Sequence, residues 1–374
     1  MKELELYVHI PFCIKKCEYC DFLSGPSARE TQEAYMKALY AEIQAAGKMT
    51  PEEYHISSVF IGGGTPSVVP EAWMEQMMEN LYRSFAIAPN AEISIEANPG
   101  TVNKEKLSAY RRSGINRISF GCQSADNREL KMLGRIHTWE EFLKSFELAR
   151  EMGFDNINVD LMSGLPEQTV ASWEKSLRKI AELEPEHISA YSLILEEGTP
   201  FYEKDLSLPE EEEERRMYEQ TEAVLSTYGF HQYEISNYAR TGRECQHNIG
   251  YWIRKPYLGL GLGSASLFEE ERFSNTRNMN TYLQKSSVPW EIREDRESLS
   301  LEEQMAEFMI LGLRLRQGIS RSQFEKNYGH SVETVYGSVL QKYEKMGLLE
   351  MENDRIRLTK AGVSVSNPIL AEFL

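Results

Sequence analysis

Clusters of basic residues are missing from this sequence, and so is any long apolar run. Acidic side chains outnumber basic ones 58 to 41, a formal net charge of −17 over 374 residues. Phosphate backbones and anionic membranes are bound through concentrated Lys and Arg, so this balance argues against a general nucleic-acid binder and against adhesion to a charged lipid surface. No stretch approaches the roughly 18 apolar residues of a membrane-spanning helix. Met1 to Phe12 carries Glu3 and Glu5 and lacks a long apolar core, so it reads as a strand and not as a signal peptide. A soluble, cytoplasmic protein is expected. Low-complexity tracts and repeats of solenoid period are absent as well. Cysteine is scarce: there are five, an odd number, and three of them fall within eight residues. That usage disfavours a disulfide framework and favours metal binding.

What is present is a regular alternation. Short apolar runs at Leu4–Ile10, Ser57–Ile61, Glu92–Glu96, Arg117–Phe120, Asn156–Leu161 and His187–Leu193 read as strands. Amphipathic stretches near Thr31–Ala46, Pro70–Phe85, Lys104–Ser113, Thr138–Met152, Ala171–Ala181 and Glu210–Tyr228 read as helices between them. Thr138 with Glu141 makes a capping box, and Gly153 stands where the helix after Thr138 would stop. Six strand–helix repeats imply right-handed parallel crossovers, hence an α/β sheet or barrel over residues 1–230. Each run ends in chemically pointed residues: the cysteine loop, Gly62-Gly63-Gly64-Thr65-Pro66, Glu96, Gln123, Asp160, and Tyr191 with Ser192. Parallel barrels gather their sites at the carboxyl ends of the strands, so one shared site is expected there. Residues 231–298, richer in Gly, Asn, Tyr and Trp, read as irregular structure covering that site. Residues 299–374 read as three helices and a hairpin, a winged-helix-like unit, with capping boxes at Ser300/Glu303 and Ser320/Gln323. A packing or lid domain is the plainer reading of that unit, because basic residues are scarce on its presumptive recognition helix.

Cys13, Cys17 and Cys20 are spaced CxxxCxxC. Thiolates hold iron–sulfur clusters because they are soft and anionic, and spacings this short let one loop wrap three corners of a cubane. The fourth iron then stays open to a ligand. Structural zinc is the competing reading, but it wants four closed ligands and no convincing fourth appears nearby. Lys15 and Lys16 suit an anionic cluster as counter-charges.

With Tyr19 before the last cysteine and a strand before the first, this motif resembles that of the radical S-adenosylmethionine superfamily. The resemblance implies a partial (β/α)6 barrel, a 4Fe-4S cluster, and S-adenosylmethionine chelated at the open iron for reductive cleavage of its sulfonium. It also implies that Gly63, Gly64 and Thr65 bind the methionine end of that cofactor. Within the superfamily the chain resembles the branch of coproporphyrinogen III dehydrogenases and haem chaperones. The carrying segments are Tyr7-Val-His-Ile-Pro-Phe-Cys13, Phe60-Ile-Gly-Gly-Gly-Thr-Pro66, Glu96-Ala-Asn-Pro-Gly100, Arg117-Ile-Ser-Phe-Gly-Cys-Gln-Ser124, Leu133-Gly-Arg-Ile-His137 and Asp160-Leu-Met-Ser-Gly-Leu-Pro166. By position, Tyr7, Glu96, Gln123, Arg135 and Asp160 match residues that contact S-adenosylmethionine in this branch. Carboxylates suit ribose hydroxyls or the methionine amine, and a guanidinium suits a carboxylate.

Two departures separate this chain from the dehydrogenases. They carry a further cysteine two places after the third ligand, where this sequence has Phe22, and they have an extension before the first strand. The segment His247-Asn248-Ile-Gly-Tyr251-Trp252 resembles the signature of HemW-type haem chaperones. That resemblance implies haem bound by His247, Asn248, Tyr251 and Trp252 and passed to an apo haem-protein acceptor. An imidazole can ligate iron, and Tyr and Trp can pack on a flat macrocycle. Cys245, His231 and His137 are other candidates for the axial ligand, while Cys122 reads as a buried small hydrophobe. Cleavage of the cofactor would call for an electron donor of flavodoxin or ferredoxin type. Haem or porphyrin is the expected ligand, decarboxylation of coproporphyrinogen III the alternative activity, and an iron–sulfur regulator reading DNA a rival that the net charge opposes.

Overall fold

The six expected strands and their helices form in chain order in a computed structural model that describes residues 1–374. They are β1 (Lys2–Ile10), α1 (Arg29–Met49), β2 (Tyr54–Gly63), α2 (Glu71–Ser84), β3 (Ile87–Ala97), α3 (Lys104–Arg112), β4 (Arg117–Gln123), α4 (Asn127–Met132), α5 (Trp139–Glu151), β5 (Ile157–Ser163), α6 (Val170–Ala181), β6 (His187–Ser192) and α7 (Glu211–Thr227). Neighbours β1 to β6 pair in parallel, each hydrogen-bonded to the next. The arc is open, since the sheet runs on past both β1 and β6.

Alternation along each strand decides which face goes where. Leu6, Val8 and Ile10, Val59 and Ile61, Ile93 and Ile95, Ile118 and Phe120, Val159 and Leu161, and Ile188 all belong to one buried core. Helices cover that face. The intervening residues are polar: Glu5, Ser58, Ser94, Arg117, Ser119, Asn158, His187 and Ser189 are buried on the inside of the arc. Strands of a doubly covered parallel sheet are ordinarily apolar on both faces, so this alternation marks the inside as a place for polar chemistry. The helix ends follow local signals. Thr138 and Glu141 cap α5 reciprocally, and Gly153 adopts φ +84° to close it.

Residues 231–298 differ from the irregular cover expected of them. They hold β7 (His231–Gln232), β8 (Asn237–Ala239), α8 (Gln246–Trp252), β9 (Tyr257–Leu260), β10 (Ala265–Phe268), β11 (Glu271–Asn275), α9 (Met279–Lys285) and β12 (Arg293–Ser298). The full sheet order is β12-β11-β10-β9-β1-β2-β3-β4-β5-β6-β8-β7. After β8 at one flank the chain crosses through α8 and rejoins the sheet as β9 beside β1 at the other. The crossing therefore passes beneath the inside of the arc. A further unit follows: α10 (Leu301–Gly312), β13 (Ile319–Ser320), α11 (Arg321–Tyr328), α12 (Val332–Lys345), β14 (Leu349–Glu352), β15 (Arg355–Leu358), α13 (Lys360–Ser364) and α14 (Ser366–Ala371). It has its own apolar cluster, around Met309, Phe324, Val332, Leu340 and Ile356. Ser300 and Glu303 form the expected capping box. Ser320 caps α11, but the Gln323 amide turns to Asn327 instead of back to the cap. No helix is long and apolar enough to cross a membrane.

One buried carboxylate ties the added strands to the arc. Glu42 of α1 accepts hydrogen bonds from Gly261 N (2.8 Å), Asn275 Nδ2 (2.6 Å) and Tyr282 Oη (2.5 Å). Glu42→Ala leaves Gly261 N and Tyr282 Oη without this acceptor, while Asn275 Nδ2 keeps the Gly261 carbonyl and Ser264 Oγ, at a cost of about 3 kcal/mol. Thermal unfolding followed by circular dichroism is expected to fall by several degrees, and an unchanged midpoint would show that the β9–α9 segment does not depend on Glu42.

Candidate functional site

A cavity of about 600 Å³ opens at the carboxyl ends of the parallel strands. Cys13, Cys17 and Cys20 line it from the loop after β1. Gly63, Gly64 and Thr65 reach it from the turn at the end of β2, Glu96 from β3, Asn98 from just past its end, Gln123 from β4 and Asp160 from β5. Arg135 enters from the loop after α4, and Tyr191 with Ser192 closes the far side. The structure thus brings the three cysteines and seven of the eight residues expected at the cofactor into one site. Tyr7 sits behind it, its hydroxyl 3.0 Å from His9 Nδ1 and its ring stacked on Phe60, which lines the cavity.

The cysteine loop is held by groups that complement anionic sulfur. Arg135 Nη1 donates to Cys17 Sγ at 3.4 Å, and the Thr65 hydroxyl lies 3.5 Å from Cys13 Sγ. Asn98 fixes both neighbours, donating to Thr65 Oγ1 (2.8 Å) and accepting from Arg135 Nη2 (2.6 Å). A Cβ on Gly64 would stand 2.7 Å from Phe12 O and 3.0 Å from Cys13 Sγ, so only glycine lets the turn approach the loop this closely. Arg135 Nε is buried without a partner in the cavity wall, a donor left for an anionic group.

The carboxylates opposite are poised differently. Glu96 accepts from Gly63 N (3.0 Å), and burial together with nearby Asp160 pushes its carboxyl up to about 8. Asp160 is also raised by burial, though Asn158 Nδ2 (2.7 Å) and the Ser119 hydroxyl (3.2 Å) donate to it. A cationic ligand between them would relieve both. Gln123 holds φ at +71°, unusual for a side chain of its size, and accepts from the Tyr191 hydroxyl at 3.4 Å. Backbone strain of this kind persists where the surroundings over-determine a residue. Asn98, Ser119, Asn158 and Tyr191 complete the wall. Ser119, Asn158 and Tyr191 were signalled by the period-two polarity of β4, β5 and β6, whereas Asn98 follows β3 and carries no such signal.

Of the four residues expected at a haem, Asn248 lines the cavity, whereas His247, Tyr251 and Trp252 do not. His247 is 1% exposed, and both ring nitrogens are engaged, Nδ1 with Ser58 Oγ (2.8 Å) and Nε2 with Tyr251 Oη (3.0 Å). Burial lowers its pKa to about 3, so the ring is neutral, and it stacks on Phe60 at 5.3 Å. In this arrangement the imidazole supports the cavity floor and is not free to ligate iron. Trp252 faces the C-terminal unit, with the Arg314 guanidinium 5.7 Å from its ring. The other axial candidates are also off the cavity. Cys245 lies against Glu92, His231 pairs with Glu244 and His137 meets the Cys122 carbonyl. Cys122 is fully buried.

Glu5 explains why α8 carries a glycine inside its motif. This carboxylate is fully buried, burial pushes it up to about 8, and its nearest charge is Lys255 Nζ at 3.5 Å. A Cβ on Gly250 would stand 2.1 Å from Glu5 Oε2. Gly250→Ala is therefore expected to cost about 1–3 kcal/mol through overpacking. The thermal midpoint should drop while far-ultraviolet dichroism below it stays native. No drop would mean that α8 is not seated on Glu5.

Comparison with known proteins places this geometry. The radical SAM superfamily model matches residues 7–180, and the HemN C-terminal domain model matches residues 299–365. The heme chaperone HemW of Bacillus subtilis is 36% identical over 375 residues, covering 98% of each chain. HemW of Escherichia coli is 34% identical over 382 residues, covering 99% of this chain and 98% of its own. Among solved structures, the coproporphyrinogen III oxidase HemN of Escherichia coli, a radical SAM enzyme, superposes with a TM-score of 0.87 at 25% identity. That match covers 100% of this chain and 90% of the other.

Proposed function

From the premise that this chain belongs to the radical SAM superfamily, and within it to the HemW family, we propose that it is a haem chaperone that binds haem and delivers it to an acceptor protein. The observation that carries the reading is identity above 30% to HemW proteins along essentially the whole of both chains. The HemN resemblance is to a fold shared across the branch. At the position where the dehydrogenases carry a further cysteine, this chain has Phe22, 59% exposed at the cavity.

Membership of the superfamily implies a 4Fe-4S cluster and S-adenosylmethionine. A cluster held by three thiolates leaves one iron for the amine and carboxylate of that cofactor and stores an electron that can reach its sulfonium. We assign the thiolates to Cys13, Cys17 and Cys20. Arg135 and Thr65 donate toward two of their sulfurs, and Lys15 and Lys16 add positive charge beside them. Gly63, Gly64 and Thr65 offer a close backbone approach on the methionine side. Glu96, ionised, would accept from the ammonium, and Asp160 from the ribose, with Gln123 between them and Tyr7 packed behind. Reductive cleavage, where it belongs to the working cycle, draws its electron from a flavodoxin- or ferredoxin-type donor.

Haem is the cargo. Asn248 reaches the cavity directly and His247 acts on it through Phe60, so the His247–Trp252 segment contributes from beneath. An apo haem protein is the acceptor, and no step requires nucleic acid.

Replacing Cys13, Cys17 and Cys20 together by Ser is expected to abolish the broad visible absorption of the anaerobically reconstituted protein. Cys122→Ser and Cys245→Ser should keep it, and equal dependence on Cys245 would contradict the three-thiolate assignment.

The chaperone reading is tested by titrating haemin and following transfer to an apo haem protein. Stoichiometric binding and transfer are expected. His247→Ala should weaken binding several-fold with the cluster absorption intact. Turnover of coproporphyrinogen III to protoporphyrinogen IX, without haem transfer, would give the protein to the dehydrogenase reading.

A further inference from the structure

We propose that the mouth of the cavity, with Phe22 on one side and Ile194 on the other, is the surface on which the haem macrocycle lies. This rests on the chaperone reading and says where in the fold the cargo is held.

The placement follows from topology. Phe22 belongs to the loop after β1 and Ile194 to the loop after β6, and β1 and β6 are the two ends of the parallel arc. The loops therefore meet across the side that parallel pairing leaves open. They are fastened together there: Phe201 N–H donates to the Glu18 carbonyl at 2.9 Å, and Lys204 pairs with Glu18 at 2.8 Å. Phe22 is 59% exposed and Ile194 69% exposed, yet both line the cavity. A single exposed apolar side chain needs no explanation. Two, from loops far apart in sequence and fixed around one opening, form an apolar rim over a polar interior. Leu193, Met162 and Tyr191 continue that surface inward.

Charge selects the occupant. Lys15 and Lys16 stand on the same rim. Lys16 Nζ donates to the Phe22 carbonyl at 3.0 Å, beside the apolar ring, and the Lys15 ammonium makes no hydrogen bond or ion pair within the chain. Asp21 and Glu196 also line the cavity, so the ligand's carboxylates must approach Lys15 and Lys16 and stay clear of both acids. A flat apolar disc carrying two carboxylates on one edge meets both requirements, and haem is such a disc. No histidine lines the mouth, and contacts with the face of the ring would suit a cargo that must leave. The disc would also cover the route by which S-adenosylmethionine reaches the strand ends.

The test is a haemin titration of the reconstituted full-length protein, native and Phe22→Ser/Ile194→Ser, with Trp290→Ser as the control. Trp290 is an aromatic side chain, 58% exposed, remote from the cavity lining. The double variant should bind haem at least about tenfold more weakly, with its cluster absorption and S-adenosylmethionine affinity retained, and the control should stay within about twofold of native. In the native protein, bound haem should slow the exchange of labelled S-adenosylmethionine. Native-like haem affinity in the double variant, or exchange that haem leaves unchanged, would place the cargo elsewhere and overturn the proposal while the chaperone reading stands. A native protein that binds no haem would overturn both.

Discussion

The polar inner face of the six parallel strands is the constraint on which this molecule depends. Glu5, Arg117, Asn158 and His187 sit where a parallel sheet usually buries aliphatic side chains. Buried charge is tolerated only when it is paired or hydrogen-bonded, so every other part of the barrel answers to that requirement. His187 links Asn158 Oδ1 (2.6 Å) to the Tyr233 hydroxyl (2.8 Å), and Asn158 in turn holds Asp160. Arg117 stands near Glu92 and Asp160, whose carboxylates favour its charge. From below, α8 seals the floor, placing His247 on Ser58 and Gly250 on Glu5. From above, the same polarity becomes the wall of the cavity.

That arrangement makes the cysteine loop and the parallel arc one piece. Asn98 joins the glycine turn to Arg135, and Arg135 reaches Cys17. His9 Nε2 lies 3.0 Å from the Leu23 carbonyl, and Tyr35 donates to the His9 carbonyl at 2.7 Å, so the far end of the loop is anchored to β1 and α1. The C-terminal unit meets the same framework through α8. Arg254 pairs with Glu307 at 2.9 Å just after the motif, and Arg314 lies over Trp252. A segment expected to touch cargo thus also connects the cavity floor to the second apolar core.

Much of this was legible in the sequence because its signals are local. The strand β1 to β6 assignments rest on runs of Ile, Val and Leu, and the caps at Thr138 and Ser300 are short-range hydrogen bonds that formed as expected. The cysteine spacing and the glycine turn converge because both follow a parallel strand. Residues 231–298 were less legible for a physical reason. β7 and β8 have two and three residues, and β12 reads Arg-Glu-Asp-Arg-Glu-Ser, almost all exposed, so pairing and not hydrophobic pattern makes them strands. His247 was singled out for its chemistry, but its burial is set by Ser58 and Phe60, which no local pattern links to it. Gln323 illustrates the same limit on a smaller scale: the spacing of a capping box is present, and Asn327 takes the amide instead.

The reading proposed is that the thiolates of Cys13, Cys17 and Cys20 would leave a single iron facing a cavity suited to a small, net-cationic cofactor. Mössbauer spectroscopy of the ⁵⁷Fe-reconstituted protein, with and without S-adenosylmethionine, tests it most directly. The account predicts that one iron in four changes its isomer shift and quadrupole splitting when the cofactor is added, while the other three keep theirs. Four irons that remain equivalent with the cofactor present would contradict it.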